Sequence, residues 1–160
     1  MKKRITEEAI KSLRQEGLRF SVDTLAEKLK ISKKTIYKYF PVKEALANAI
    51  YERYYADLKD KVKEMLSLNE PERTEKLLLC YFDSAKMVRR EIFNKFCLNK
   101  VIGDVALQHH LDIWNTIKPF VCSLMTENEA EIYKLITDGS FEKAIAYNVN
   151  ASAVIGMLRK

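Results

Sequence analysis

Apolar residues return every three or four positions along most of this chain, with polar residues between them, and that spacing predicts helix after helix. Ala9, Ile10 and Leu13 line one face of "EEAIKSLRQEG". Thr6 before it, acids in its first turn and Gly17 at its end predict a helix of about three turns. Val22, Leu25, Ala26 and Leu29 repeat in "VDTLAEKLK", which Ser21 can cap. Ile31 and Ser32 leave a very short connection, and Ser32 can cap "KKTIYKYF", which Pro41 stops. Two short helices joined by three or four residues form a helix-turn-helix.

The remainder follows the same period. "VKEALANAIYERYYADLKDKVKEML" reads as one long helix, with Leu46, Ile50, Tyr54, Leu58, Val62 and Met65 at helical intervals. Pro71 in "LNEPER" suits the first turn of the next helix. "TEKLLLCYFDSAKMV" and "EIFNKFCL" are helical and buried in character. Gly103 is expected to separate them from "DVALQHHLDIWNTIKPFVCSLM", which Pro119 should kink or divide. "ENEAEIYKLITDG" ends at Gly139. "NASAVIGMLRK" starts at an Asn150 cap, with Val149 and Val154 placed as a staple, and runs only about three turns to Lys160. No stretch alternates convincingly as a strand, so the expected fold class is all-α, with a helix-turn-helix domain over residues 1–46 and a larger helical domain over 47–160.

Composition agrees. Only four glycines and three prolines occur in 160 residues, while 48% are apolar and 31% charged. No run approaches the roughly 18 to 20 apolar residues that span a bilayer. Acids follow the basic start "MKKR", where a signal peptide would need an apolar core. Cys80, Cys97 and Cys122 are odd in number and set in apolar context, which suits a reducing compartment. The expected location is cytoplasmic.

Charge changes the picture. Residues 1–46 hold twelve Lys and Arg against six Asp and Glu, whereas residues 47–160 hold sixteen of each. The whole net charge of +6 therefore sits in the first quarter, the electrostatic footprint of a polyanion binder. On the third helix, Ile36, Phe40 and part of Tyr37 turn inward by spacing. Lys33, Lys34 and Lys38 project outward, with Thr35 and Tyr39 beside them. The ammonium groups can reach guanine O6/N7 or phosphate, and the hydroxyls can donate to phosphate oxygens. Lys43 adds a cation in the first turn of the fourth helix.

"FSVDTLAEKLKISKKTIYKYFPVKEAL" resembles the DNA-binding region of the tetracycline-repressor (TetR) family of bacterial transcriptional regulators. Ala26, Ser32, Thr35, Tyr37, Tyr39, Phe40, Lys43, Glu44 and Leu46 stand in that family's spacing. The resemblance covers about 30 residues, and the helical remainder fits the family in outline only. It implies a homodimer whose two recognition helices enter successive major grooves of a palindromic operator, and a small-molecule effector in the larger domain that releases the DNA. By position, Lys33, Lys34, Thr35 and Lys38 would face bases, and Ser21, Tyr37, Tyr39 and Lys43 phosphates.

Three positions depart from the pattern. Lys30 stands where a turn glycine is usual, and a left-handed backbone there costs roughly 1 kcal/mol for a residue with a Cβ. Val42 stands where a Ser or Asn cap is usual, again costing on the order of 1 kcal/mol. The family dimerises through its last two helices, and here the final helix is short or truncated.

In the larger domain Trp114, Tyr81, Phe82 and Phe96 are candidate walls of an effector pocket for a small apolar or aromatic ligand; ordinary core packing would use the same residues. His109 and His110 point about 100° apart on a helix and so cannot easily share a metal. His109 with Asp112 has i, i+3 spacing but no evident third ligand, so a satisfied or exposed histidine is expected, with no cofactor. No phosphate loop and no nucleophile with a base at a known spacing points to an enzyme. The expected function is a DNA-binding regulator, a repressor in the first instance. Two rivals stand beside it: a helical protein-interaction module with a basic N-terminal domain, and a TetR-like regulator without an effector.

Overall fold

The computed structural model describes residues 1–16, 21–88, 100–139 and 156, and the ordered elements among them are seven α-helices. In chain order they are α1 (Lys2–Glu16), α2 (Val22–Leu29), α3 (Lys33–Tyr39), α4 (Lys43–Leu66), α5 (Glu72–Val88), α6 (Lys100–Val121) and α7 (Glu127–Gly139). The described residues divide into two compact units. One is built on Met1–Asp57 with α6 up to residue 107, the other on Leu58–Val88 with the chain from residue 108 onward.

In the first unit α1 packs on α2 and α2 on α3. Ala9, Leu13, Leu25, Ala26, Leu29, Ile36, Phe40, Leu46 and Ile50 are all buried, the helical stripes expected from the spacing, and Ile5, outside that expectation, is buried with them. Arg14 lies over the Tyr54 ring at 5.4 Å, and Tyr54 meets Tyr55 edge-on at 5.0 Å. α1 begins four residues before Thr6, so Thr6 is not its cap. Its hydroxyl instead donates back to the Lys2 and Lys3 carbonyls at 3.3 and 2.9 Å, and Ile5, one position earlier, is fully buried.

In the second unit α5 packs on α7. Its core holds Leu77, Leu78, Tyr81, Ile113, Trp114, Ile117, Val121, Ala130 and Tyr133. Pro71 immediately precedes α5, whose first turn is held by the Glu70 carboxylate. That group accepts from the Thr74 backbone N–H at 3.1 Å and the Thr74 hydroxyl at 3.0 Å, and pairs with Arg73 at 2.8 Å. Ser123 donates to it from far along the chain, at 2.8 Å. Burial works to raise the Glu70 carboxyl, but these hydrogen bonds outweigh it and hold the group at about 2.

Two breaks expected from the sequence are absent. α6 runs through Gly103, and it passes Pro119 without dividing, ending two residues later at Val121. One helical glycine costs about 1 kcal/mol, too little to stop a long helix with buried residues along it. Pro119 lies in the last turn, where the helix is ending anyway. The expected segment "EIFNKFCL", the Gly17 stop and the Asn150 cap with its Val149 and Val154 staple fall outside the described residues. Cys80 and Cys122 are free thiols, and burial pushes Cys80 up to about 11, helped by Asp83.

Candidate nucleic-acid interface

The geometry of the turn follows from two copies of one local device. Ser21 caps α2 by accepting the Thr24 backbone N–H at 3.1 Å, and the two hydroxyls meet at 2.7 Å. Ser32 caps α3 by accepting the Thr35 N–H at 3.1 Å, with the hydroxyls 2.9 Å apart. Each is a Ser-x-x-Thr pair that satisfies an orphan donor of the first turn. Between them α2 is ended by Lys30 in the left-handed conformation, φ 54° and ψ 44°. The Ile31 N–H then reaches back to the Ala26 carbonyl at 3.0 Å, the closure that a left-handed terminal residue permits. The departure at Lys30 is thus a left-handed residue with a Cβ, and its side chain is exposed.

With α3 set this way, its inner and outer faces separate cleanly. Ile36 is fully buried and Phe40 nearly so, while Tyr37 is half-buried. Lys33, Lys34 and Lys38 are exposed, and Thr35 and Tyr39 are half-buried beside them. Lys34, Lys38 and Lys43 make no ion pair with another described residue. Lys33 does: its ammonium meets the carboxylate of Asp23, on the first turn of α2. Tyr39 borders an open groove of about 650 Å³ whose other walls include Lys2, Lys3, Pro41, Asn48 and Arg53. α4 starts at Lys43 behind Val42, which is 54% exposed and supplies only its carbonyl, to Ala45 at 3.1 Å. The structure therefore brings Ser21, Lys33, Lys34, Thr35, Tyr37, Lys38, Tyr39 and Lys43 together in one small unit.

The residues considered for an effector pocket are distributed differently. Tyr81 and Trp114 are buried and meet at 4.9 Å between ring centres. Phe82 is buried too, but with Ala85 and against Leu79. Phe96 lies outside the described residues.

Next to Tyr81 is a polar cluster that the sequence did not reveal. His110 is 2% exposed and its ring stacks on Tyr81 at 4.3 Å. Its Nδ1 lies 2.8 Å from the Ser84 hydroxyl and its Nε2 2.9 Å from Asp138. Tyr81 donates its hydroxyl to the same carboxylate at 2.8 Å, and Lys134 pairs with it at 2.7 Å. Burial works to raise Asp138, yet the bonds from His110, Lys134 and Tyr81 hold it at about 2. An ionised Asp138 can only accept, so Nε2 carries a proton; in the neutral ring Nδ1 then accepts from Ser84.

The serine, histidine and aspartate invite comparison with a hydrolytic triad, but the Ser84 side chain is fully buried and no substrate can reach it. The cluster is a satisfied core network, as buried polar groups require. Spacing could not show it, because Ser84, His110 and Asp138 come from three helices 26 and 28 residues apart. Asp112 accepts from Gln108 at 3.0 Å and faces Lys59, and no group of three or more possible ligands gathers among the described residues.

Residues 5–50 match the family model of bacterial regulatory proteins, tetR family. Over 160 residues the chain is 26% identical to a protein of Bacillus subtilis (strain 168) described as "Uncharacterized HTH-type transcriptional regulator YvaF", covering 98% of this chain and 76% of that one. No solved structure matches it.

Proposed function

We propose that this chain, a DNA-binding transcriptional regulator of the TetR family, acts as a ligand-responsive repressor that binds a palindromic operator as a homodimer. The observation that carries the reading is the outer face of α3. Exposed Lys34 and Lys38, unpaired with any described residue, stand on a helix whose opposite side is locked into the core by Ile36 and Phe40. Lys33, Lys34, Thr35 and Lys38 read base edges, and Ser21, Tyr37, Tyr39 and Lys43 hold the phosphates. DNA reading belongs to residues 1–46, effector binding and dimerisation to residues 47–160, and the protein works in the cytoplasm.

Dimerisation is supported by α7. Ile132, Leu135 and Ile136 are 40%, 73% and 37% exposed at i, i+3 and i+4, an apolar stripe that a second copy can cover. The effector part of the reading rests on the family likeness and on the aromatic pair Tyr81 and Trp114 of the larger domain, whose rings meet at 4.9 Å. Apolar walls with a few fixed polar groups are what small-ligand sites need. The effector would be a small apolar or aromatic molecule.

Fluorescence anisotropy with an operator duplex and a scrambled duplex tests the reading. Lys34→Ala and Lys38→Ala should each weaken operator binding about tenfold or more, since a good base contact discriminates by roughly 1–3 kcal/mol. Equal, small losses on both duplexes would mean that α3 does not read sequence.

A further inference from the structure

Asp23 poses a problem on a surface that must approach a polyanion. It is exposed, it sits on the first turn of α2 beside the α3 lysines, and a carboxylate there repels phosphate. Its partner is Lys33, the first residue of α3. The side chains of Lys33 and Asp23 are 53% and 59% exposed, so the pair adds little to folding; exposed pairs contribute about 0 to 1 kcal/mol. Its effect on binding is of another kind. An unpaired lysine is a flexible point charge that meets the nearest phosphate on any sequence, with release of a counterion. A lysine held by a carboxylate is already neutralised and already placed. Lys34 and Lys38, one and five residues further along α3, have no such partner among the described residues.

We propose that Asp23 is a specificity-determining residue: it withholds the Lys33 ammonium from the phosphates of non-operator DNA and presents it to a base edge of the operator. The proposal rests on the reading of α3 as the recognition helix. Asp23 acts through Lys33 and is in that sense a positioning residue. The competing role is structural, because an acid in the first turn of a helix also stabilises its dipole.

The two roles separate by experiment. The operator duplex recovered by selection and a scrambled duplex are titrated with the full chain and with Asp23→Asn, Asp23→Glu, Lys33→Met and the Asp23→Asn/Lys33→Met double variant, between about 50 and 300 mM salt. With Asp23→Asn, Lys33 is free to meet a phosphate. Binding to the scrambled duplex should tighten by about fivefold at 0.15 M salt, and its log–log salt slope should steepen by about 1, the value of one further phosphate contact. Operator affinity should change less, so the specificity ratio falls. Asp23→Glu should retain most of the ratio, and in the Lys33→Met background Asp23→Asn should lose most of its effect, leaving only the loss of the carboxylate's own repulsion.

An unchanged ratio and salt slope in a folded Asp23→Asn variant that still selects sequence would overturn the proposal alone. An effect of Asp23→Asn that persists undiminished without Lys33 would do the same. Failure of the wild-type chain to select any sequence would overturn the operator reading and this proposal with it.

Discussion

Lys30 and Val42 each give up a local preference, and each therefore offers a stabilising substitution. Lys30 holds φ 54°, where a Cβ is strained and glycine is not. Lys30→Gly should raise stability by about 0.5–1 kcal/mol, seen as a higher urea midpoint at unchanged slope. Val42→Ser should add about 1 kcal/mol by giving α4 the side-chain acceptor it lacks. A lower midpoint for either variant would mean that the turn is held by contacts of the native side chain. Both positions were legible in the sequence, because the turn chemistry is local and a missing glycine or cap is visible as such. Thr6 shows the opposite case. A threonine before two glutamates looks like a cap, but burial of Ile5, one residue earlier, extends α1 through it. Long-range burial overrides local signal, and a single sequence does not show which face will be covered.

At the scale of elements, helix positions followed from apolar spacing wherever an amphipathic stripe was present, and α2, α3, α4 and α7 ended up close to where that spacing put them. The errors were breaks, not helices. Gly103 and Pro119 looked like interruptions, yet α6 absorbs both. The Ser84–His110–Asp138 cluster was invisible for a related reason: three helices have to be assembled before its members meet. α7 carries the prediction belonging to this scale. Leu135→Glu places a charge in the exposed stripe without touching the core side of the helix, where Ala130 and Tyr133 are buried. Sedimentation velocity should show a dimer turned to monomer, with helical circular dichroism preserved and operator binding weakened at least tenfold. A variant that remains dimeric would place the contact between copies elsewhere.

For the molecule as a whole, two carboxyls link folding to acid. Asp138 is held at about 2 against an ordinary 3.8, and Glu70 at about 2 against 4.5. A carboxyl lowered on folding contributes in full above its unfolded value, and the contribution fades as pH falls through the folded one. Stability should therefore drop between about pH 4.5 and pH 2. Asp138→Asn, which cannot ionise, should be less stable at neutral pH but show a shallower decline across that window in urea midpoints. A decline as steep as that of the wild type would remove Asp138 from the account.

Selection from a pool of random duplexes at near-physiological salt tests the central claim, that the chain reads DNA sequence as a dimer. Sequencing what stays bound should return a palindrome with half-sites about one helical turn or slightly more apart. Retention that is blind to sequence and lost with salt would contradict it.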